Sequence, residues 1–285
     1  MVAPMTQIAT SDGLKQRMSK RSIVNDLYKS RKRVCTAPSS DINETSEFND
    51  GLNGTSFSAA EIPSDTKVSL LHLKELFPLE RFEGRLPVVI VKHQLYSLIN
   101  DRTAVDKELN TLKLANEIKL FKLGAELDDY CIVFTREYQD HVIKVMSELS
   151  ISKNICNKFV NTVIKKYTDV CINKDTLMNE FNFTDSEITQ LVKASVLTVR
   201  DVGNWWVALP NAGIFMKCFL RGRKAIVTMI RKCKYREILQ TELEQRKWPK
   251  VCKLGLQYHM HEVIGADLIK CIQTTSGLLL RLKDS

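Results

Sequence analysis

The chain has 285 residues, 44% of them hydrophobic and 26% charged, and a formal net charge of +9, a balance that suits one large globular domain or two to three small ones with a polar tail. No apolar run approaches the roughly 18–20 residues that span a bilayer, and the N-terminus lacks the apolar stretch of a secretory signal, so the expected compartment is the cytosol or nucleus and no membrane partner is expected. The eight cysteines stand at least fifteen residues apart, which excludes a CxxC zinc or redox pair and fits isolated thiols in a reducing compartment.

Residues 1–65 are rich in Ser, Thr, Asn, Asp and Gly without a sustained apolar period, the composition of a disordered tail. Two basic clusters lie inside it, Lys20-Arg21 and Lys29-Ser30-Arg31-Lys32-Arg33. Their spacing suits a bipartite nuclear-import signal or an arm that touches nucleic acid, with a merely solvated tail as the plain alternative. From Val68 the apolar spacing becomes regular. Leu70, Leu71, Leu73, Leu76 and Phe77 predict a helix stopped by Pro78. A second apolar segment follows Pro87 through Tyr96 and Ile99, and Asp101-Arg102-Thr103 caps a third carrying Val105, Leu109, Leu112 and Leu114. Alternating runs at 118–121 and 131–134 predict a β-hairpin whose tip, with Glu126, Asp128 and Asp129, is acidic.

Three helices and a hairpin are the plan of a winged helix, assigned here to residues 66–148. The plan recurs over 149–215. Ile155, Phe159, Val163 and Ile164 mark one helix, Leu177 to Phe181 a short second, and a Thr184/Glu187 capping box opens the third. Its hairpin pairs residues 196–200 with 205–209 across Gly203-Asn204, and the Trp205-Trp206 pair reads as core and flank in preference to a base-stacking platform. Residues 216–285 form a divergent third module. A long helix starting near Ala212 carries Ile226, Met229, Ile230 and Cys233 on one side; a second contains Ile238, Leu239 and Leu243 and ends at Trp248-Pro249; a third runs through Leu268 and Ile269; and Leu278 to Leu282 form a final strand. The expected class is mainly α with small β-hairpins (α+β), as three tandem winged-helix modules behind a disordered tail.

No catalytic signature accompanies this plan. The eleven glycines supply neither GxGxxG nor GxxxxGK[ST], and no His-Arg-Asp, Asp-Phe-Gly or Ala-Pro-Glu occurs, so the parts that cradle and transfer a phosphoryl group are missing together. His259 and His261 are spaced two apart, which on a helix points them to different faces. No cofactor or metal is expected.

Charge is distributed more informatively. Between Lys217 and Lys253 twelve basic residues face three acidic ones, a surplus equal to that of the whole chain. At 3.6 residues per turn Lys224, Arg231 and Lys234 fall within about 80° of one another, leaving the opposite side free to pack. The expected nucleic-acid contacts are Arg223, Lys224, Arg231, Lys232, Lys234, Arg246, Lys247 and Lys250, with minor contributions from Arg102 and Arg200; the mixture of Arg and Lys suits phosphate contact more than base reading. The acidic first wing points that module toward protein.

Several segments resemble a known family. Arg85-Leu86-Pro87, Tyr96-Ser97-Leu98, Asp101-Arg102-Thr103, Asp185-Ser186-Glu187-Ile188-Thr189, Val196-Leu197-Thr198-Val199-Arg200-Asp201 and Thr274-Thr275-Ser276-Gly277 are similar to the serine/threonine-protein kinase 19 family, over about residues 66–285. The resemblance implies tandem winged helices without a kinase fold, and residence in the nucleus on chromatin. It further implies binding to double-stranded DNA and a role in transcription-coupled nucleotide excision repair, where the partners are repair proteins, RNA polymerase II and the repair helicase complex that is positioned at the stalled polymerase. The family's DNA-contacting region falls on Arg231-Lys232-Cys233-Lys234 and Arg246-Lys247. Alternatives left open are a winged-helix protein scaffold, RNA as the ligand, a monomer or weak dimer on DNA, and the kinase of the family's name.

Overall fold

The structure, a computed structural model, describes residues 64–124, 130–250 and 252–283. The import-like clusters (Lys20, Arg21, Lys29, Arg31, Lys32, Arg33) and the acidic tip Glu126, Asp128 and Asp129 lie outside the described residues. Helix α1 (Asp65–Glu75) starts where the Ser64 hydroxyl accepts the Lys67 amide, and it buries Leu70 and Leu73. After a helical turn at Leu79–Phe82 come β1 (Ile90–Val91), α2 (Lys92–Tyr96) and α3 (Arg102–Leu114). The Asp101 carboxylate accepts the amides of Thr103 and Ala104 at 2.9 and 3.0 Å, so two otherwise orphaned donors are satisfied. Strands β2 (Ile118–Lys122) and β3 (Tyr130–Phe134) complete an antiparallel sheet of order β1-β3-β2.

Helix α4 (Thr135–Glu148) leads to a second set: α5 (Lys153–Phe159), extended by a wider turn to Ile164; β4 (Cys171–Asn173); a helical turn at Thr176–Glu180; α6 (Asp185–Lys193); and β5 (Leu197–Asp201) with β6 (Asn204–Val207). Its sheet has the order β4-β6-β5. The Thr184/Glu187 capping box is formed in both directions. A third set has α7 (Ala212–Arg231), β7 (Glu237–Leu239), α8 (Gln240–Gln245), α9 (Leu256–Gly265), β8 (Ile269–Thr274) and β9 (Gly277–Leu282), with sheet order β7-β9-β8. The chain is therefore α+β. One order of elements, helix, short strand, two helical segments and hairpin, occurs three times. Among the described residues no helix is long and apolar enough to cross a membrane.

Three expectations change in the third set. Helix α7 ends at Arg231, so Cys233 and Lys234 lie past it; Tyr235 and Arg236 adopt left-handed backbone (φ 58° and 57°) and turn the chain into β7. Ile238 and Leu239, expected in a helix, pair instead with Leu280 and Leu279. Ile269 likewise opens β8, because Asp267 at φ 59° terminates the helix before it. Sheet burial outweighs local periodicity at these short apolar runs.

Two apolar cores organise these elements. The larger joins the first and second sets and admits Phe215, Cys218 and Phe219 of α7 and Tyr258 of α9. The smaller is built from Ile226, Ile230, Ile238, Leu243, Met260, Val263, Ile269 and Leu280. The expected divide at 215/216 thus falls inside α7, whose two halves serve different cores. Helices α2 and α9 lock the first set to the third: the Tyr258 hydroxyl donates to the Val89 carbonyl and Gln94 Nε2 to the Tyr258 carbonyl, each at 2.8 Å, and Ser97 Oγ meets His261 Nδ1 at 2.8 Å.

Candidate nucleic-acid interface

Twenty residues make α7 about 30 Å long. Its inner side is Phe215, Cys218, Phe219, Gly222, Ile226 and Ile230, all buried. Opposite them Lys217, Arg221, Lys224 and Arg231, all exposed, share an arc of about 80°. The stripe expected from the sequence is therefore real over the helix, with Lys217 and Arg221 replacing Lys234. No carboxylate interrupts it. Lys232 and Lys234 are exposed on the turn that follows, and Lys234 lies 5.0 Å from the Tyr235 ring centre. Arg231 in the last turn complements the helix dipole.

An open groove of about 640 Å³ adjoins this end, with Val227, Leu268 and Leu282 as its apolar floor and Arg231, Arg236, Lys283 and Asp267 around it. Asp267 joins Arg102 at 2.6 Å and Lys283 at 3.1 Å; Arg102 first, then Lys283, holds its carboxyl below the usual range. Arg102 also lies 5.1 Å from the Tyr96 ring centre. Asp267 thus stands between the groove that Arg231 lines and a neighbouring pocket that Arg102 lines, a juxtaposition across more than a hundred residues that no local pattern announces. Arg236 and Lys283 were not singled out by the sequence because their positions depend on the β7–β9 pairing.

Other expected contacts are placed differently. Arg223 turns inward, pairs with the fully buried Glu262 at 2.5 Å and lies over the Phe219 ring, so its charge is committed to the interior. Arg246 bonds Glu242 at 2.7 Å and reaches the Met229 carbonyl at 3.5 Å, which ties the segment after α8 to the end of α7. Lys247 and Lys250 are exposed. Arg200 is stacked 4.7 Å from Trp206 and touches Asp201 and the Cys171 sulfur, contacts that belong entirely to the second sheet. Both tryptophans of that hairpin are half-buried, Trp205 against the larger core.

Behind the stripe, His259 is fully buried between Phe219, Trp248 and Tyr258, and neither ring nitrogen has a hydrogen-bond partner among the described residues. Burial, with Arg223 close by, pushes its imidazole down to about 4 from 6.5. Between those values an unfolded chain takes up a proton that the folded protein does not, so stability falls as pH drops from about 6.5 toward 4 and levels off below. His141 and His261 shift in the same direction through burial. Urea midpoints measured down this range are expected to decrease, with the His259 share reaching about 3 kcal/mol. His259→Leu removes that share, and an unchanged slope in the variant would place the linkage elsewhere.

Comparison with known proteins fixes the family. The family described as inactive serine-threonine protein kinase 19 matches residues 58–282. The chain belongs to this family. Its members include proteins named "Winged helix repair factor 1": that of Homo sapiens is 44% identical over 223 residues, covering 78% of this chain and 87% of its own, and that of Xenopus laevis is 36% identical over 269 residues, covering 93% and 99%. A more distant family relative, "Serine/threonine-protein kinase mug51" of Schizosaccharomyces pombe, is 23% identical over 222 residues, covering 70% and 68%.

Proposed function

We propose that this protein is a non-enzymatic, nuclear winged-helix factor that binds duplex DNA through phosphate contacts. The thrice-repeated order of elements, together with the words "winged helix" in the relatives' names, supports reading residues 66–148, 149–215 and 216–285 as three winged-helix modules, the last borrowing its first turn from residues 212–215. The family's description as inactive and the missing phosphoryl-transfer motifs support a binding role in place of catalysis. The words "repair factor" in the relatives' names support a place in DNA repair. We assign it to transcription-coupled nucleotide excision repair, positioning the repair helicase complex beside stalled RNA polymerase II.

One observation carries the DNA reading: Lys217, Arg221, Lys224 and Arg231 form an exposed stripe free of acidic residues, continued by Lys232 and Lys234. Arg246, Lys247 and Lys250 extend it, and Arg102 contributes from the neighbouring pocket on the other side of Asp267. Each of these cations that neutralises a phosphate releases counterions condensed on the DNA, so affinity falls steeply with salt. In an anisotropy titration of a random-sequence duplex across a salt series, a log–log slope of about −4 to −6 is expected, in keeping with that number of exposed cations. A flat salt response, or no binding at low salt, would remove the assignment.

A further inference from the structure

A second groove, about 480 Å³ in volume, is bounded by Arg81, Trp248, Pro249, Lys250 and Lys253. The indole is fixed by its edge: Trp248 Nε1 donates to the carbonyls of Cys252 and Leu254, each at 3.1 Å, and the ring leans on His259 with centres 5.8 Å apart. The cations are tied across the fold as well. Arg81 Nη1 donates to the Lys253 carbonyl at 2.9 Å, and Lys253 Nζ donates to the Arg81 carbonyl at 3.1 Å. Each cation commits one donor to this clamp and keeps others. Among the described residues no carboxylate lines the groove; the nearby Glu83 is paired with Arg85, which, with a smaller contribution from Lys253, holds its carboxyl below the usual range.

An aromatic ring bordered by cations in a lining free of carboxylates is the combination that holds unpaired nucleotides, the ring stacking on a base and the cations meeting its phosphates. A base inside a duplex cannot reach such a ring. Resting on the duplex reading above, we propose that the Arg81–Trp248–Lys253 groove takes an unpaired nucleotide flanking the bound duplex. Lys250 links the two surfaces, since it lies in the basic segment and also lines this groove.

The test uses the full chain with four probes: a blunt duplex, the same duplex with a short oligo-dT overhang, and oligo-dT and oligo-rU alone. The overhang is expected to tighten binding on the order of tenfold. Arg81→Glu abolishes that gain and leaves blunt-duplex affinity within roughly twofold, because a single remote contact contributes little to the salt-dependent term. Trp248→Leu, checked for folding by circular dichroism, does the same by removing the stacking surface. Binding of oligo-dT or oligo-rU with the same dependence on Arg81 supports the groove, and the stronger of the two names the strand type. An overhang gain that is absent, or that survives both substitutions, overturns the proposal. So does a glutamate-rich peptide that binds as tightly as oligo-dT with the same Arg81 dependence, since the groove would then be a protein contact. Should oligo-dT bind in this way while the blunt duplex does not bind at all, the duplex reading fails and the groove stands.

Discussion

Reversing Arg231, Lys232 and Lys234 to Glu together is expected to weaken duplex binding by about a hundredfold near 0.1 M salt, and to make the log–log salt dependence shallower by about 3. All three side chains are exposed where α7 ends and the chain turns toward β7. Each loses a phosphate partner and becomes a like charge against the next phosphate. Folding is nearly untouched, because none of the three contributes to either apolar core. Arg223→Gln gives the converse pattern. It removes the cation paired with Glu262 inside the protein, so it lowers stability and leaves the salt slope in place. Anisotropy for affinity and thermal melting for stability separate the two, and a triple reversal that binds like the parent would move the interface off α7.

The second large effect concerns packing. Gly265→Ala is expected to destabilise by about 3 kcal/mol, lowering the melting temperature by about 10 °C. Ala ordinarily improves on Gly in a helix by about 1 kcal/mol, so the sign itself is diagnostic. At Gly265 an added Cβ would stand 1.7 Å from the His93 carbonyl oxygen and 2.6 Å from its carbon. Backbone cannot swing aside as a side-chain tip can, so α2 and α9 would have to part, with loss of the Gln94–Tyr258 and Ser97–His261 bonds between them. Gly222 is also crowded, but by the His259 ring, 1.8 Å from its added Cβ. A neutral or stabilising Gly265→Ala would mean that α2 and α9 do not meet as described.

What the sequence made legible follows from how local each signal was. The hairpins at 118–134 and 197–207 and the Thr184 cap carry their information within a few residues, and the structure places them there. Strands β1, β4 and β7 are two or three residues long and exist only because a distant strand offers its edge, so no alternation could reveal them. The α7 stripe was visible in outline. Its helical phase was extrapolated one turn too far, since nothing in Cys233-Lys234-Tyr235-Arg236 signals a left-handed turn at residues with side chains. Arg223 could not be recognised as inward-facing from its own neighbours, because its partner Glu262 lies on another helix. The pairing of Arg102 with Asp267, which lines the α7 groove, likewise joins residues far apart in the chain.

The double burial of α7 bears on how such a chain could have been assembled or could be taken apart. Phe215 and Phe219 belong to the larger core and Ile226 and Ile230 to the smaller, so the helix acts as a shared beam. A fragment ending before it would lack three aromatic fillers, Tyr258 included, and would leave the first two sheets around an incomplete interior. The repeats are therefore not beads that can be restrung singly. The same beam fixes the bearing of the cationic stripe toward both cores that it joins, so a duplex seated on it would be held at one angle to the first sheet and not swung on a tether.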